Sequence, residues 1–214
     1  MALASMKRRG HPEGMLRAPR TCACGQCVGP WYRLVAAVAA WVLLFPFNLN
    51  SQKSKATEYD VKAAYLFNFA RFAEWQAGSP AARNDTFAIC VLGQDPFRAA
   101  LDAVVTGETI AGKAVVARRI TKPQEAVNCR VLFISSSEDS RLQEILGALD
   151  GACVLTVSDM PQFTRRGGMI QFVTDGSKIR FEINLANAGV AGLTLSSELL
   201  KVAVTVIRNS QPGV

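Results

Sequence analysis

The sequence predicts an α/β domain: a mostly parallel, Rossmann-like sheet flanked by helices, with a C-terminal antiparallel hairpin and a terminal helix. Three observations carry that expectation. Residues 87–92 form a short, continuous apolar run of the kind found in strands covered on both faces, 130–134 read as a second buried-type run and 154–157 as a further strand. Helical patterns alternate with them, the βαβ rhythm whose crossovers are right-handed. Near the end, residues 169–174 and 178–184 alternate around Asp175, Gly176 and Ser177, a turn-forming group that marks an antiparallel hairpin.

The elements follow in order. Thr57 and Asp60 have the spacing of a capping box, in which each side chain satisfies an orphan backbone N–H of the other. Val61, Ala64, Tyr65, Phe69 and Phe72 then recur at helical spacing, which predicts a helix from 58 to about Trp75. The aromatic cluster Phe67, Phe69, Phe72 and Trp75 reads first as core. Residues 97–105 read as the helix after the first strand, and 113–119 as a second, less apolar strand nearer an edge. Ser135 to Ser140 supply cap hydroxyls and first-turn acids for a helix through Leu149. In the hairpin's second arm Ile179, Phe181 and Ile183 point one way, and Arg180, Glu182 and Asn184 the other. Ser196 starts a last helix carrying Leu199, Val202, Ala203, Val206 and Ile207 on one face. Residues 58–208 form one domain, and 209–214 are read as a disordered tail.

The first 50 residues behave differently. They hold six Lys/Arg and one acid, against 18 Lys/Arg and 16 acids in the other 164 residues, so most of the net charge of +7 belongs to them. Residues 34–47 are uncharged and apolar but too short to span a bilayer as a helix, which suits the h-region of a secretory signal. The expectation is a cleaved signal peptide over 1–50, a tether over 51–57 and a periplasmic domain. An uncleaved anchor facing the periplasm is the alternative. Cys22, Cys24 and Cys27 lie before the h-region without a second ligand pair, so they carry no metal site.

Composition excludes several chemistries. The single histidine, His11, sits in the leader, so the mature domain has no imidazole for a nucleophile pair, for zinc or for acid–base work. A concentrated positive field for nucleic acid is absent beyond the leader. Gly107, Gly112 and Lys113 have phosphate-loop spacing, but Ala114 stands where a hydroxyl is needed and a strand follows where a helix should. Asp95, Asp159, Glu182 and Glu198 form no visible dyad. The sequence therefore predicts no catalytic residue, no metal and no cofactor. Of the three remaining cysteines, Cys90 and Cys129 are the preferred bridge between neighbouring parallel strands, and Cys153 is left over; three buried free thiols are the alternative. Arg118, Arg119, Arg165 and Arg166 read as solvated ends of elements.

Several stretches resemble the YfiR family of bacterial periplasmic regulators. They are residues 62–75 (KAAYLFNFARFAEW), 89–97 (ICVLGQDPF), 129–135 (CRVLFIS), 154–159 (VLTVSD), 166–170 (RGGMI), 179–185 (IRFEINL) and 191–201 (AGLTLSSELLK). The resemblance implies a small secreted α/β protein, often dimeric and without enzymatic activity, that represses an inner-membrane diguanylate cyclase through its periplasmic domain. It also implies that Cys90 and Cys129 are the family's bridging pair. Two departures stand out: Gln76 follows Trp75 where a proline is usual, and no second cysteine pair flanks Gly167 and Gly168.

The functional expectation is a periplasmic binder of the outward-facing domain of a diguanylate cyclase or sensor kinase. Trp75, Arg180, Glu182 and Asn184 are its contact residues, a homodimer is compatible with it, and a redox or ligand signal would release it. The rival is a solute-binding protein whose crevice is lined by loops at 93–97, 135–137 and 158–160.

Overall fold

The computed structural model describes residues 56–76 and 83–208. The expected leader, its cysteine trio, residues 51–55 of the tether and the 209–214 tail lie outside the described residues. In chain order the elements are α1 (Glu58–Phe72), β1 (Ala73–Trp75), β2 (Thr86–Leu92), α2 (Ala99–Val105), β3 (Thr109–Ile110), β4 (Lys113–Ile120), β5 (Val131–Ile134), α3 (Leu142–Ala148), β6 (Leu155–Ser158), β7 (Ile170–Asp175), β8 (Lys178–Asn184), α4 (Leu185–Val190), β9 (Leu193–Leu195), α5 (Ser197–Val202) and β10 (Thr205–Ile207). Short 3-10 helices, Pro123–Asn128 and Ser136–Arg141, precede β5 and α3.

Eight strands among the described residues form one sheet in the order β10-β8-β7-β6-β5-β2-β4-β3, and β1 pairs with β9 separately. Only β7–β8 and β3–β4 are antiparallel in the large sheet. The predicted mostly parallel sheet and its hairpin are therefore both present. Alternation along the strands sends two sets of side chains to opposite faces. One face packs Ile89, Val91, Phe133, Val157, Phe172 and Phe181 under α1 and α2. The other packs Cys90, Leu92, Leu132 and Ile134 under Leu142 and Ile145 of α3 and Phe163. The second core contains no residue of β7, β8 or β10. That end of the sheet is covered by an apolar layer on one side only.

The capping box forms: the Asp60 amide donates to Thr57 Oγ1 and the Thr57 amide to Asp60 Oδ2 at 2.7 Å. The predicted helix ends early, however, at Phe72. Residues 73–75 turn extended because pairing with β9 buries Ala73, Leu193 and Leu195. The buried stripe of α1 is also rotated from the predicted one. Lys62, Ala63, Leu66, Phe69 and Ala70 face inward, Ala64 is exposed, and Phe72 is 42% exposed. The expected terminal helix is likewise divided. It stops at Val202, and Thr205–Ile207 joins the sheet parallel to β8. The β-branched run Val204–Thr205–Val206–Ile207 prefers a pleated surface, and the edge of β8 offers one.

Candidate functional site

The polar side of β8 is the surface the sequence singled out, and the structure places its three residues differently. Asn184 is 6% exposed and turns inward. Its Oδ1 accepts from the Asn187 amide and caps α4, while its Nδ2 donates to the Thr164 carbonyl at 2.9 Å. It is a capping residue rather than an exposed contact residue. Glu182 is half-buried and accepts from the Thr164 hydroxyl at 3.4 Å. Arg180 is half-buried as well, and its Nε is shielded from water without a hydrogen-bond partner. Across the ladder Arg180 faces Val173, and neither Asp175 nor Glu182, its same-face neighbours in the hairpin, forms an ion pair with it among the described residues.

Trp75 lies far along the chain, on β1. Its ring meets Phe87 edge-on at 5.3 Å, and the Arg130 guanidinium sits 5.4 Å from its centroid. The indole Nε1 is buried and has no hydrogen-bond partner. Cys153, half-buried, is the one free cysteine among the described residues. Cys90 and Cys129 are joined by a disulfide with Cα atoms 6.0 Å apart. Cys90 lies on β2 opposite Leu132, Cys129 closes the 3-10 helix Pro123–Asn128 just before β5, and neither residue is more than 1% exposed.

The expected ligand crevice lies where β2 and β5 diverge, because their neighbours β4 and β6 run off to opposite sides. There the loops close on each other. The Gln94 amide donates to Ser137 Oγ at 2.9 Å, and a Cβ at Gly93 would lie 2.5 Å from that oxygen, so only glycine fits. The Asp95 carboxylate accepts from the Phe97 amide and takes an ion pair from Arg119. A separate groove of about 660 Å³ runs between the first turns of α1 and the β7–β8 turn, lined by Thr57, Val61, Tyr65, Ser177 and Ile179 among others.

Two charged clusters were not legible as sites. Lys62 is 3% exposed, yet it pairs with Asp159 at 2.7 Å and Glu58 at 2.6 Å and lies 4.5 Å from the Tyr59 ring centroid. Burial opposes its charge, but hydrogen bonds to Asp159 and Glu58 outweigh that and hold its pKa above the ordinary lysine value. Tyr59 donates to the same Asp159 oxygen, and burial raises its pKa. The cluster ties α1 to the end of β6. Arg119 reaches Asp102 at 2.6 Å, Asp95 at 2.8 Å and the Arg98 carbonyl at 2.7 Å. Its hydrogen bonds lower the pKa of Asp102. A lysine four residues after Glu58, set among apolar positions of α1, was the available signal for the first cluster. The second depends on loop geometry and had none.

These carboxylates are engaged structurally and sit in no open acid–base pair. Among the described residues no group of His, Cys, Asp and Glu could hold a metal ion, and no helix is long and apolar enough to cross a membrane. The profile of the YfiR/HmsC-like family matches residues 59–204, nearly all of the described domain. The chain belongs to that family. Among solved structures, this YfiR/HmsC-like chain is similar to a conserved domain protein from Vibrio cholerae O1 biovar El Tor strain N16961. That match has 13% identity and a TM-score of 0.45, over 56% of this chain and 54% of the other. An ABC domain in complex with L-Trp from Streptococcus pneumoniae gives 13% identity and a TM-score of 0.46, over 68% of this chain and 60% of the other. The chain thus spans little more than half the length of either.

Proposed function

We propose that this chain is a non-enzymatic periplasmic regulator. It binds the periplasmic domain of an inner-membrane signalling enzyme, a diguanylate cyclase in the first instance and a sensor kinase in the second, and holds it inactive. Family membership supports a regulatory role. The observation that carries the reading is the open side of β7–β8–β10. There a sheet lacks its second apolar layer while presenting a half-buried arginine without a partner. Protein surfaces that bind others combine such arginine anchors with incomplete coverage.

The disulfide supports secretion into an oxidising compartment. Both its sulfurs lie in the core, which favours a staple over a redox gate: reductant reaches them only after local opening. In the solute-binding reading, two of the three lining loops, 93–97 and 135–137, are joined by the Gln94–Ser137 hydrogen bond.

The test is affinity capture of the secreted chain from detergent-solubilised membranes of its own organism, with and without reductant. Intracellular cyclic di-GMP is measured after deletion of the gene. Capture of a cyclase and a rise in cyclic di-GMP are expected. No capture and an unchanged nucleotide level would reject the reading.

A further inference from the structure

Half-buried arginines need acceptors, because a guanidinium partly withdrawn from water leaves unsatisfied donors costly. Arg166 meets that need through Asp139, and the more open Arg119 through Asp95 and Asp102. Arg180 does not. No ion pair or side-chain hydrogen bond is made by it among the described residues, and its Nε is sealed from solvent. Its backbone is fixed by the β7–β8 ladder, and β10 pairs with the next residues of the strand from Glu182 onward. Exposed Lys178 stands two residues before it on the same face. Arg165, also exposed, follows Thr164, whose hydroxyl meets Glu182.

We propose that this face docks an acidic segment of the partner protein, with Arg180 receiving one of its carboxylates. The inference rests on the regulatory reading above and specifies the partner's chemistry. A planar fork is suited to two parallel N–H···O bonds with a carboxylate. An anionic bilayer is the poorer occupant. Polybasic membrane contacts use clusters of basic residues, whereas here Lys178 and Arg180 alternate with Asp175 and Glu182, a mixed pattern that suits a single carboxylate placed at the arginine better than a continuous anionic surface.

The full chain is mixed with a synthetic Glu-rich peptide, and separately with vesicles of phosphatidylglycerol and phosphatidylcholine. Hydrogen exchange resolved along the sequence keeps binding to the basic leader out of the reading. The peptide is expected to slow exchange across residues 178–184. R180Q weakens that protection about tenfold, the worth of one charge-assisted contact. R118Q, at an exposed arginine on β4, leaves it unchanged. R180M raises the melting temperature, because it removes an unsatisfied donor without removing a partner. Equal loss in R118Q and R180Q, protection by vesicles instead of peptide, no protection at all, or a lowered melting temperature in R180M would each overturn the inference. Capture of a cyclase with Arg180 dispensable would leave the regulatory reading standing and remove only this one. Failure of the capture itself would remove that reading directly.

Discussion

Strands β2, β5 and β6 are buried along nearly their whole length, whereas β8 alternates between buried and half-exposed positions and β10 has no fully buried residue. In the first group β2 and β5 carry apolar cores on both faces, β6 adds Leu155 and Val157 to one core and buried Thr156 and Ser158 on its other side, and the group also holds a disulfide and the Lys62–Asp159 tie. The second has one core face, a side-chain network around Thr164 and the unpartnered Arg180. Both belong to one continuous sheet, so the difference lies in what covers them. Burial is concentrated where both faces are sealed, and the docking surface proposed above lies where one is left open. That division is expected of proteins whose recognition elements come from their less stable regions.

Breaking the sealed half should have the largest effects. Replacing Cys90 and Cys129 by serine opens a bridge across a sequence separation of 39 residues. The chain-entropy model puts the loss at about 4 kcal/mol, measured by urea unfolding of the oxidised protein and the variant. The Asp159→Asn change leaves Lys62 buried with only Glu58. It is expected to cost about 2 kcal/mol, less than breaking an isolated buried pair. Lys62→Met combined with Asp159→Leu should recover most of that loss. If the double variant is no better than the single one, the tie is not electrostatic.

Smaller effects belong to exposed features. Arg119→Gln removes a clamp between a half-exposed Asp102 and a more sheltered Asp95, so about 1 kcal/mol is expected. Its pH dependence has a defined sign. The lowered pKa of Asp102 contributes stability above the ordinary carboxylate range, lost as pH falls through the lowered value. A melting series from pH 7 to pH 2, with about 4 as the ordinary carboxylate value, should therefore fall less steeply in the variant. The smallest change is a gain. Ala111 holds φ +51° beside Gly112 in the β3–β4 turn, a left-handed conformation that costs an alanine. Ala111→Gly should stabilise by about 0.5 kcal/mol in the same urea assay.

Much of the sealed half was legible in the sequence. Continuous β-branched runs such as Phe87–Leu92, ended by Gly93 and Pro96, pointed to strands with both faces covered, and the cysteine positions suited adjacent parallel strands. The open half was less legible. Alternation in Lys178–Asn184 identified the polar side of β8 but not that Thr164 would fold over Asn184 and stop short of Arg180. That depends on the turn through Gln162, held at φ +59°, where local pattern carries no signal. The terminal helix was extended too far because Leu199, Val202, Val206 and Ile207 satisfy a helical spacing, while the open edge of β8 competes for the last of them. The end of α1 was extended for the same reason: Ala73 and Trp75 fit the helix pattern, and only the distant β9 reveals them as a strand.

The most direct test places a photo-crosslinking residue at Glu182 on the open face and, separately, at Arg118 on the sealed half. Both full-length proteins are irradiated in cells of the source organism. The account predicts a covalent adduct with the periplasmic domain of an inner-membrane signalling enzyme from position 182 and none from 118. Adducts of equal yield from both positions, or from 118 alone, would contradict the assignment of binding to the open half of the sheet.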